Sequence, residues 1–169
     1  MFKPIIGITM GDAAGIGPEI IVKTLAQPQI YETCRPLVIG DANIITTESG
    51  RQSLKVNAVD AIESCLFNHG TIDVLKVKGI DLSGIKLGQV SRKAGKAAVE
   101  FLLEAINLAL SQEIHAIVTA PLNKEAINLA GYHFQGHTEI LAAKTQTAKY
   151  AMMLAAGNLK VIHVTTHVA

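Results

Sequence analysis

Residues 4–19 read Pro-Ile-Ile-Gly-Ile-Thr-Met-Gly-Asp-Ala-Ala-Gly-Ile-Gly-Pro-Glu, and this stretch decides the fold class. Its first six residues are rich in β-branched side chains, which favours a strand. Glycines follow, and then Pro18, which a helix tolerates at its first position because the N–H there has no helical partner. The stretch therefore predicts a strand, a tight turn and a helix, the opening unit of an α/β protein.

The rest of the chain continues the alternation of strand-like runs with helix-like spacing. Short apolar runs predict strands at residues 36–40, 71–77 and 115–119. Helices are predicted at residues 41–48, from Ser91 to about Ala109, at 123–130 closed by Gly131, and from about Thr138. Residues 79–88 are predicted to be loop or irregular strand.

Two apolar runs near the end of the chain, residues 150–155 and 159–166, flank Gly157-Asn158, which predicts a β-hairpin. We predict a first α/β domain over residues 1–132 and the start of a second over 133–169. Because Ala169 directly follows an apolar run, we also expect further protein beyond it.

Composition excludes several classes of function. The chain has 169 residues, 49% of them hydrophobic, and a net charge of +1 without a basic stripe, so a nucleic-acid partner is not expected. Its longest apolar runs fall short of the roughly 20 residues that cross a bilayer, and its start does not resemble a secretory signal. Cys34 and Cys65 are predicted to be buried free thiols, which indicates the cytoplasm.

The glycine-rich residues 11–19 favour either a tight turn or an anion site at a helix N-terminus. Gly15 and Gly17 fit the start of the dinucleotide fingerprint, but the later glycine is missing and Pro18 interrupts it. No Gly-Lys-Ser/Thr follows either, so a classical Rossmann or P-loop nucleotide site is disfavoured.

Two further segments carry polar side chains that suit a ligand. Lys124 follows a predicted strand, where open α/β sheets bind ligands, and suits a phosphate or carboxylate, although a solvated lysine is the simpler interpretation. His137 and Thr138 precede a helix; the imidazole suits substrate contact or proton transfer, and the hydroxyl suits substrate binding or helix capping.

His163 and His167 lie four residues apart on the predicted final strand, roughly 13 Å along it at about 3.3 Å per residue, too far to share one metal ion. We predict that at most one is a ligand, and His167, at the end of the strand, is the better placed.

Together, residues 11–19, Thr119-Ala120-Pro121 with Lys124, Gly136-His137-Thr138-Glu139 and Thr165-Thr166-His167 resemble the 4-hydroxythreonine-4-phosphate dehydrogenase family of vitamin B6 biosynthesis. The order and spacing of these motifs match the N-terminal half of that family. The resemblance implies an isocitrate/isopropylmalate-dehydrogenase-like α/β/α fold with two domains and a cleft, of which this chain covers part.

The resemblance also implies a homodimer that uses NAD or NADP and a divalent metal cation (Zn, Mg, Mn or Co) to oxidise a phosphorylated hydroxy acid, with decarboxylation. It implies that His167 is a metal ligand and that His137 and Thr138 contact substrate. The catalytic and cofactor-binding residues remain unassigned.

The segment Thr9-Met10-Gly11-Asp12 is similar to a branch that acts on D-threonate or D-erythronate 4-phosphate, so the substrate stays open between these and 4-phosphohydroxy-L-threonine. A phosphotransferase and a non-catalytic domain that binds phosphorylated metabolites are the alternative functions.

Overall fold

A five-stranded parallel sheet forms the centre of the protein, as the computed structural model shows for residues 2–163, apart from the side chain of Arg51. The strands lie in the order β3-β4-β2-β1-β5. Their bounds are β1 Ile5–Thr9, β2 Arg35–Gly40, β3 Lys55–Val59, β4 Thr71–Lys76 and β5 Ala116–Thr119. A sheet whose pairs are all parallel, connected through helices, confirms the predicted α/β class.

Six helices and a hairpin accompany this sheet in the described residues. The helices are α1 Gly17–Leu25, α2 Pro28–Thr33, α3 Ala42–Ser49, α4 Arg92–Leu110, α5 Lys124–Leu129 and α6 His137–Lys144. The hairpin pairs β6 Met153–Ala156 with β7 Leu159–Ile162 in antiparallel register. The predicted hairpin is therefore confirmed through Ile162. His163 follows the strand, and residues 164–166 of the predicted run lie outside the described residues.

The longest helix, α4, packs against β1, β2 and β5. Ser91 caps it by accepting a hydrogen bond from the Ala94 N–H, and Phe101 is its largest fully buried side chain. A second apolar cluster lies between α4, α5 and α6, where Ile127 and Ile140 are fully buried. This cluster holds the start of α6 close to the end of β5.

Helix α2 and strand β3 were not predicted from the sequence. Helix α2 has only six residues, and β3 mixes polar and apolar residues because it is an edge strand. Within β3, the Asn57 amide donates to the buried Asp73 carboxylate at 2.7 Å, and that carboxylate also accepts from the backbone N–H groups of Leu66 and Phe67. The polar Asn57 side chain in this strand is therefore explained by its hydrogen bond to a buried carboxylate.

The predicted burial of Cys34 and Cys65 is wrong in degree, because both free thiols are only half-buried. Partial burial, with the nearby Asp73 and Glu63 carboxylates, raises the pKa of the Cys65 thiol to about 12. The thiolate is the nucleophilic form of cysteine, so this group is unreactive near neutral pH. Among the described residues, no helix is both long and apolar enough to cross a membrane.

Candidate functional site

The candidate site lies where β1 and β5 end, side by side at the carboxyl edge of the sheet. Thr9 pairs with Thr119 in register, and the Ala120 N–H donates to the Thr9 carbonyl at 3.1 Å. One step further, the Asp12 N–H donates to the Pro121 carbonyl at 2.9 Å. These bonds bring two of the sequence motifs into contact at the edge where open α/β sheets bind ligands.

Backbone carbonyl groups pack tightly against the glycine loop, residues 10–17. Gly11 has a φ of +68°, and a Cβ on it would lie 2.4 Å from the Pro121 carbonyl oxygen. A Cβ on Gly17 would lie 2.4 Å from the Met10 carbonyl oxygen. Close approach within the protein thus explains both glycines, which favours the tight-turn interpretation.

Asp12 supports the same interpretation. It is buried, and its carboxylate accepts the Ala14 N–H at 2.9 Å, as in an Asx-turn. Beside the loop lies a depression of about 270 Å³ lined by Gly15, Ile16, Leu87 and Gly88 among others. The Gly88 N–H donates to the Ala14 carbonyl at 2.7 Å and so holds the far wall of this depression in place.

His137 is half-buried at the first turn of α6. Burial lowers the pKa of its imidazole below the ordinary value of 6.5, and a hydrogen bond with the Ala120 backbone opposes the shift in part. The imidazole is therefore neutral at pH 7. If one ring nitrogen donates to the Ala120 carbonyl, the other retains a lone pair and can accept a hydrogen bond from a hydroxyl group.

Thr138 is partly exposed and is the second residue of α6. The helix begins at His137, and Gly136 occupies the N-cap position without a side-chain hydrogen bond. The sequence left Thr138 open between substrate binding and helix capping, and because the helix starts one residue earlier, Thr138 is not the cap. The hydroxyl of Thr138 is therefore not required as a cap and is a candidate for ligand contact.

Lys124 is exposed on α5, whose cap is Asn123 accepting the Ala126 N–H at 3.0 Å. It lines a surface depression of about 560 Å³ together with Asn128, His133, Phe134 and Gln135. The structure thus associates Lys124 with the histidine loop, residues 131–136, which leads directly to His137. Sequence reasoning did not single out His133 or Asn128.

The predicted metal ligand His167 lies outside the described residues, as do Thr165 and Thr166. His163 follows β7, and its backbone N–H donates to the Met152 carbonyl at 3.1 Å. Within residues 2–163, no group of three or more His, Cys, Asp or Glu side chains is placed to hold a metal ion. The described part of the chain therefore does not supply a complete metal site.

Three of the four sequence motifs meet in the structure. The glycine loop contacts the Ala120-Pro121 segment through its backbone, and His137 contacts the same segment through its imidazole. The groups that join them are backbone carbonyls, which any residue type provides, so no sequence signal could have identified them.

Comparison with known proteins agrees with this arrangement. Residues 32–169 match the family described as pyridoxal phosphate biosynthetic protein PdxA. The chain belongs to this family. Among curated PdxA relatives, D-threonate 4-phosphate dehydrogenase of Cupriavidus necator is 48% identical over 99% of this chain and 50% of its own length. The 4-hydroxythreonine-4-phosphate dehydrogenase of Desulforapulum autotrophicum is 40% identical over 98% of this chain and 49% of its own length.

The fold is also that of PdxA-family crystal structures. A 4-hydroxythreonine-4-phosphate dehydrogenase from Burkholderia phymatum superposes with a TM-score of 0.93 at 44% identity, covering 100% of this chain and 52% of that one. This chain thus spans about half the length of the relatives it matches, and both kinds of substrate name occur among them.

Proposed function

We propose that this chain acts in an NAD- or NADP-dependent dehydrogenase that oxidises a phosphorylated hydroxy acid. The observation that carries the proposal is the half-buried, neutral His137 held against the Ala120 backbone, with Thr138 beside it, at the carboxyl edge of the sheet. Membership of the PdxA family, whose relatives are named as dehydrogenases, supports the same activity. We also propose that this enzyme is a cytoplasmic homodimer.

For the substrate we favour D-threonate 4-phosphate, because the relative named for that compound is 48% identical. D-Erythronate 4-phosphate and 4-phosphohydroxy-L-threonine are the alternatives, and the second is supported by the name of the Desulforapulum autotrophicum relative. All three share a secondary alcohol, a carboxylate and a phosphate ester. The assay below distinguishes them.

In the proposed reaction, the carbinol carbon transfers a hydride to the nicotinamide ring and the hydroxyl loses its proton, which leaves a ketone. Where this ketone is β to the carboxylate, the resulting β-keto acid can then lose its carboxylate as carbon dioxide. The neutral imidazole of His137 would accept a hydrogen bond from a substrate hydroxyl, and Thr138 would bind a second oxygen of the substrate. Lys124, on the preceding helix, is a further candidate contact for an anionic group.

We include a divalent cation in the proposal, with His167 as its ligand from this chain. When bound, such a cation would supply a Lewis acid beside the reacting oxygen. At least two further ligands would be needed, because a protein zinc site uses three or four. Residues 2–163 do not bring together a set of that size.

The test uses a chimera in which residues 1–169 replace the half of the Cupriavidus necator relative that they match. We would follow NADH formation with each of the three phosphorylated substrates, with unphosphorylated D-threonate, and after metal removal with a chelator. A metal-dependent rate with one phosphorylated substrate supports the proposal and names the substrate. Substrate binding without NADH or NADPH formation, in a chimera whose parent enzyme is active, would reject it.

His137→Ala in this chimera should raise KM about tenfold, which corresponds to the roughly 1.4 kcal/mol of a lost hydrogen bond, while metal affinity stays unchanged. His69→Ala is the control, because His69 is an exposed histidine that precedes β4, at the amino ends of the parallel strands, and its ring bonds the Ala26 carbonyl at 3.0 Å, so this variant also removes a histidine–backbone hydrogen bond. His167→Ala should abolish turnover and metal binding together. Near-normal rate and metal affinity in that variant would remove His167 as a ligand.

A further inference from the structure

A second polar site lies on the surface formed by α5 and the histidine loop, next to the candidate substrate site. The depression there, about 560 Å³, is lined by Lys124, Asn128, His133, Phe134 and Gln135. None of the five is acidic. Among the described residues, the exposed Lys124 ammonium has no ion pair, so its charge is available to a ligand.

Hydrogen bonds determine the orientation of the two central polar side chains. The Asn128 Nδ2 donates to the Lys124 carbonyl at 2.9 Å, which identifies the other amide atom as the acceptor Oδ1. That oxygen lies 3.3 Å from His133 Nδ1, so Nδ1 carries the hydrogen. His133 Nε2 is therefore the ring nitrogen left for a ligand, and in this tautomer it accepts a hydrogen bond.

The histidine loop that carries His133 is firmly held. The Tyr132 N–H donates to the Ile127 carbonyl at 3.0 Å, and the Tyr132 hydroxyl donates to the Glu100 carboxylate at 2.7 Å. Phe134 packs against the apolar cluster between α4, α5 and α6. The backbone of this loop is thus held in place before any ligand arrives, which lowers the entropic cost of binding.

We propose that Lys124, Asn128, His133 and Gln135 form a binding site for a phosphate group. The Lys124 ammonium supplies the charge, the Gln135 amide N–H donates to a phosphate oxygen, and His133 Nε2 accepts a hydrogen bond from the hydroxyl of a protonated phosphate. Only one residue, Gly136, separates Gln135 from His137, so the Cα atoms of these two residues are at most about 7 Å apart. Phosphate binding itself needs no turnover; that the phosphate belongs to a substrate or cofactor rests on the proposed function.

The direct test is a titration of the 169-residue chain with inorganic phosphate at constant ionic strength, followed by amide resonances of residues 124–136. We expect saturable shifts there that chloride does not reproduce. Lys124→Met should weaken phosphate binding about fivefold, and Asn128→Ala about threefold because His133 loses its hydrogen-bond acceptor. Lys124 is exposed, so its replacement should leave the thermal midpoint unchanged.

Lys55→Met is the matched control, since Lys55 is an exposed lysine on β3, at the opposite side of the sheet. Unchanged phosphate affinity in Lys124→Met, or an equal loss in Lys55→Met, would overturn the proposal, because binding would then reflect net charge alone.

The source of the phosphate is decided by paired ligands on the chimera. Shifts with D-threonate 4-phosphate but not D-threonate assign the site to the substrate. Shifts with NADP but not NAD assign it to the cofactor. A response to inorganic phosphate alone identifies a site for the free ion. The absence of any response to phosphate or its esters would reject the site whether or not the chimera is an active dehydrogenase.

Discussion

The glycine loop and the histidine loop lie near the same edge of the sheet, but they differ in whether their polar groups already have partners within the protein. In the glycine loop, Gly11 and Asp12 are engaged by the Pro121 carbonyl and by Ala14. In the histidine loop, His133 Nε2 is left for a ligand, and in the turn of α6 that follows, one ring nitrogen of His137 is left if the other donates to the Ala120 carbonyl. The comparison indicates that a glycine-rich motif can be structural while the polar side-chain groups available to a ligand lie in less regular sequence beside it.

The largest expected effect is that of Gly11→Ala in the glycine loop. A left-handed backbone costs roughly 1–2 kcal/mol for a residue with a side chain, and overlap with a packed carbonyl costs about 1–3 kcal/mol more. We therefore expect the free energy of unfolding to fall by about 4 kcal/mol in urea denaturation.

Gly15→Ala is the control for that variant. Gly15 lies in the same loop, but a Cβ there would lie 3.4 Å from its nearest neighbour, the Asp12 carbonyl oxygen, which is ordinary contact. Its cost should stay below about 1 kcal/mol. Equal losses in the two variants would show that the loop is not closed by the Gly11 contact.

An intermediate effect is expected where the histidine loop is anchored. Ile140 is fully buried against α4 and α5, three residues after His137. Ile140→Ala should cost about 3 kcal/mol in the same assay, because it removes apolar contacts and leaves a cavity. Ile162→Ala, at a residue that is 60% exposed on β7, should cost under about 1 kcal/mol. If both variants were equally stable, α6 would not be held by this cluster.

Much of the fold could be predicted because local chemistry agrees with the tertiary structure. Ser91 does cap α4, Gly131 has a φ of +93° after α5, and Gly157 has a φ of +57° in the hairpin turn. Strand β3 was missed because Asn57 contributes to a buried hydrogen-bond network that its sequence neighbours do not reveal.

For the candidate site, His137, Thr138 and Lys124 could be named from the sequence because an imidazole, a hydroxyl and an ammonium are side-chain groups that commonly bind ligands. The contacts that shape the surroundings of these side chains could not be predicted. The Ala120 and Pro121 carbonyls are backbone groups, and the bond between His133 and Asn128 depends on how the histidine loop folds back onto α5. Whether His167 joins them remains a prediction.

The smallest expected effect concerns the pH dependence of stability and tests the burial of His137. Because its folded-state pKa is lowered below 6.5, the folded protein binds this proton less readily than the unfolded chain does. The contribution to stability is therefore fully present above about pH 6.5 and is lost as the pH falls through the lowered value. The loss should be modest, since the imidazole is only half-buried and water screens its charge.

The measurement is the free energy of unfolding between pH 7.5 and 5 for the unmodified chain and for His137→Gln. All other histidines and carboxylates are common to both proteins, so the difference between the two curves isolates this imidazole. We expect the unmodified chain to lose more stability toward acid than the variant does. Parallel curves would mean that His137 is as accessible to protons as in the unfolded chain, and the neutral hydrogen-bond acceptor assigned to it would have to be abandoned.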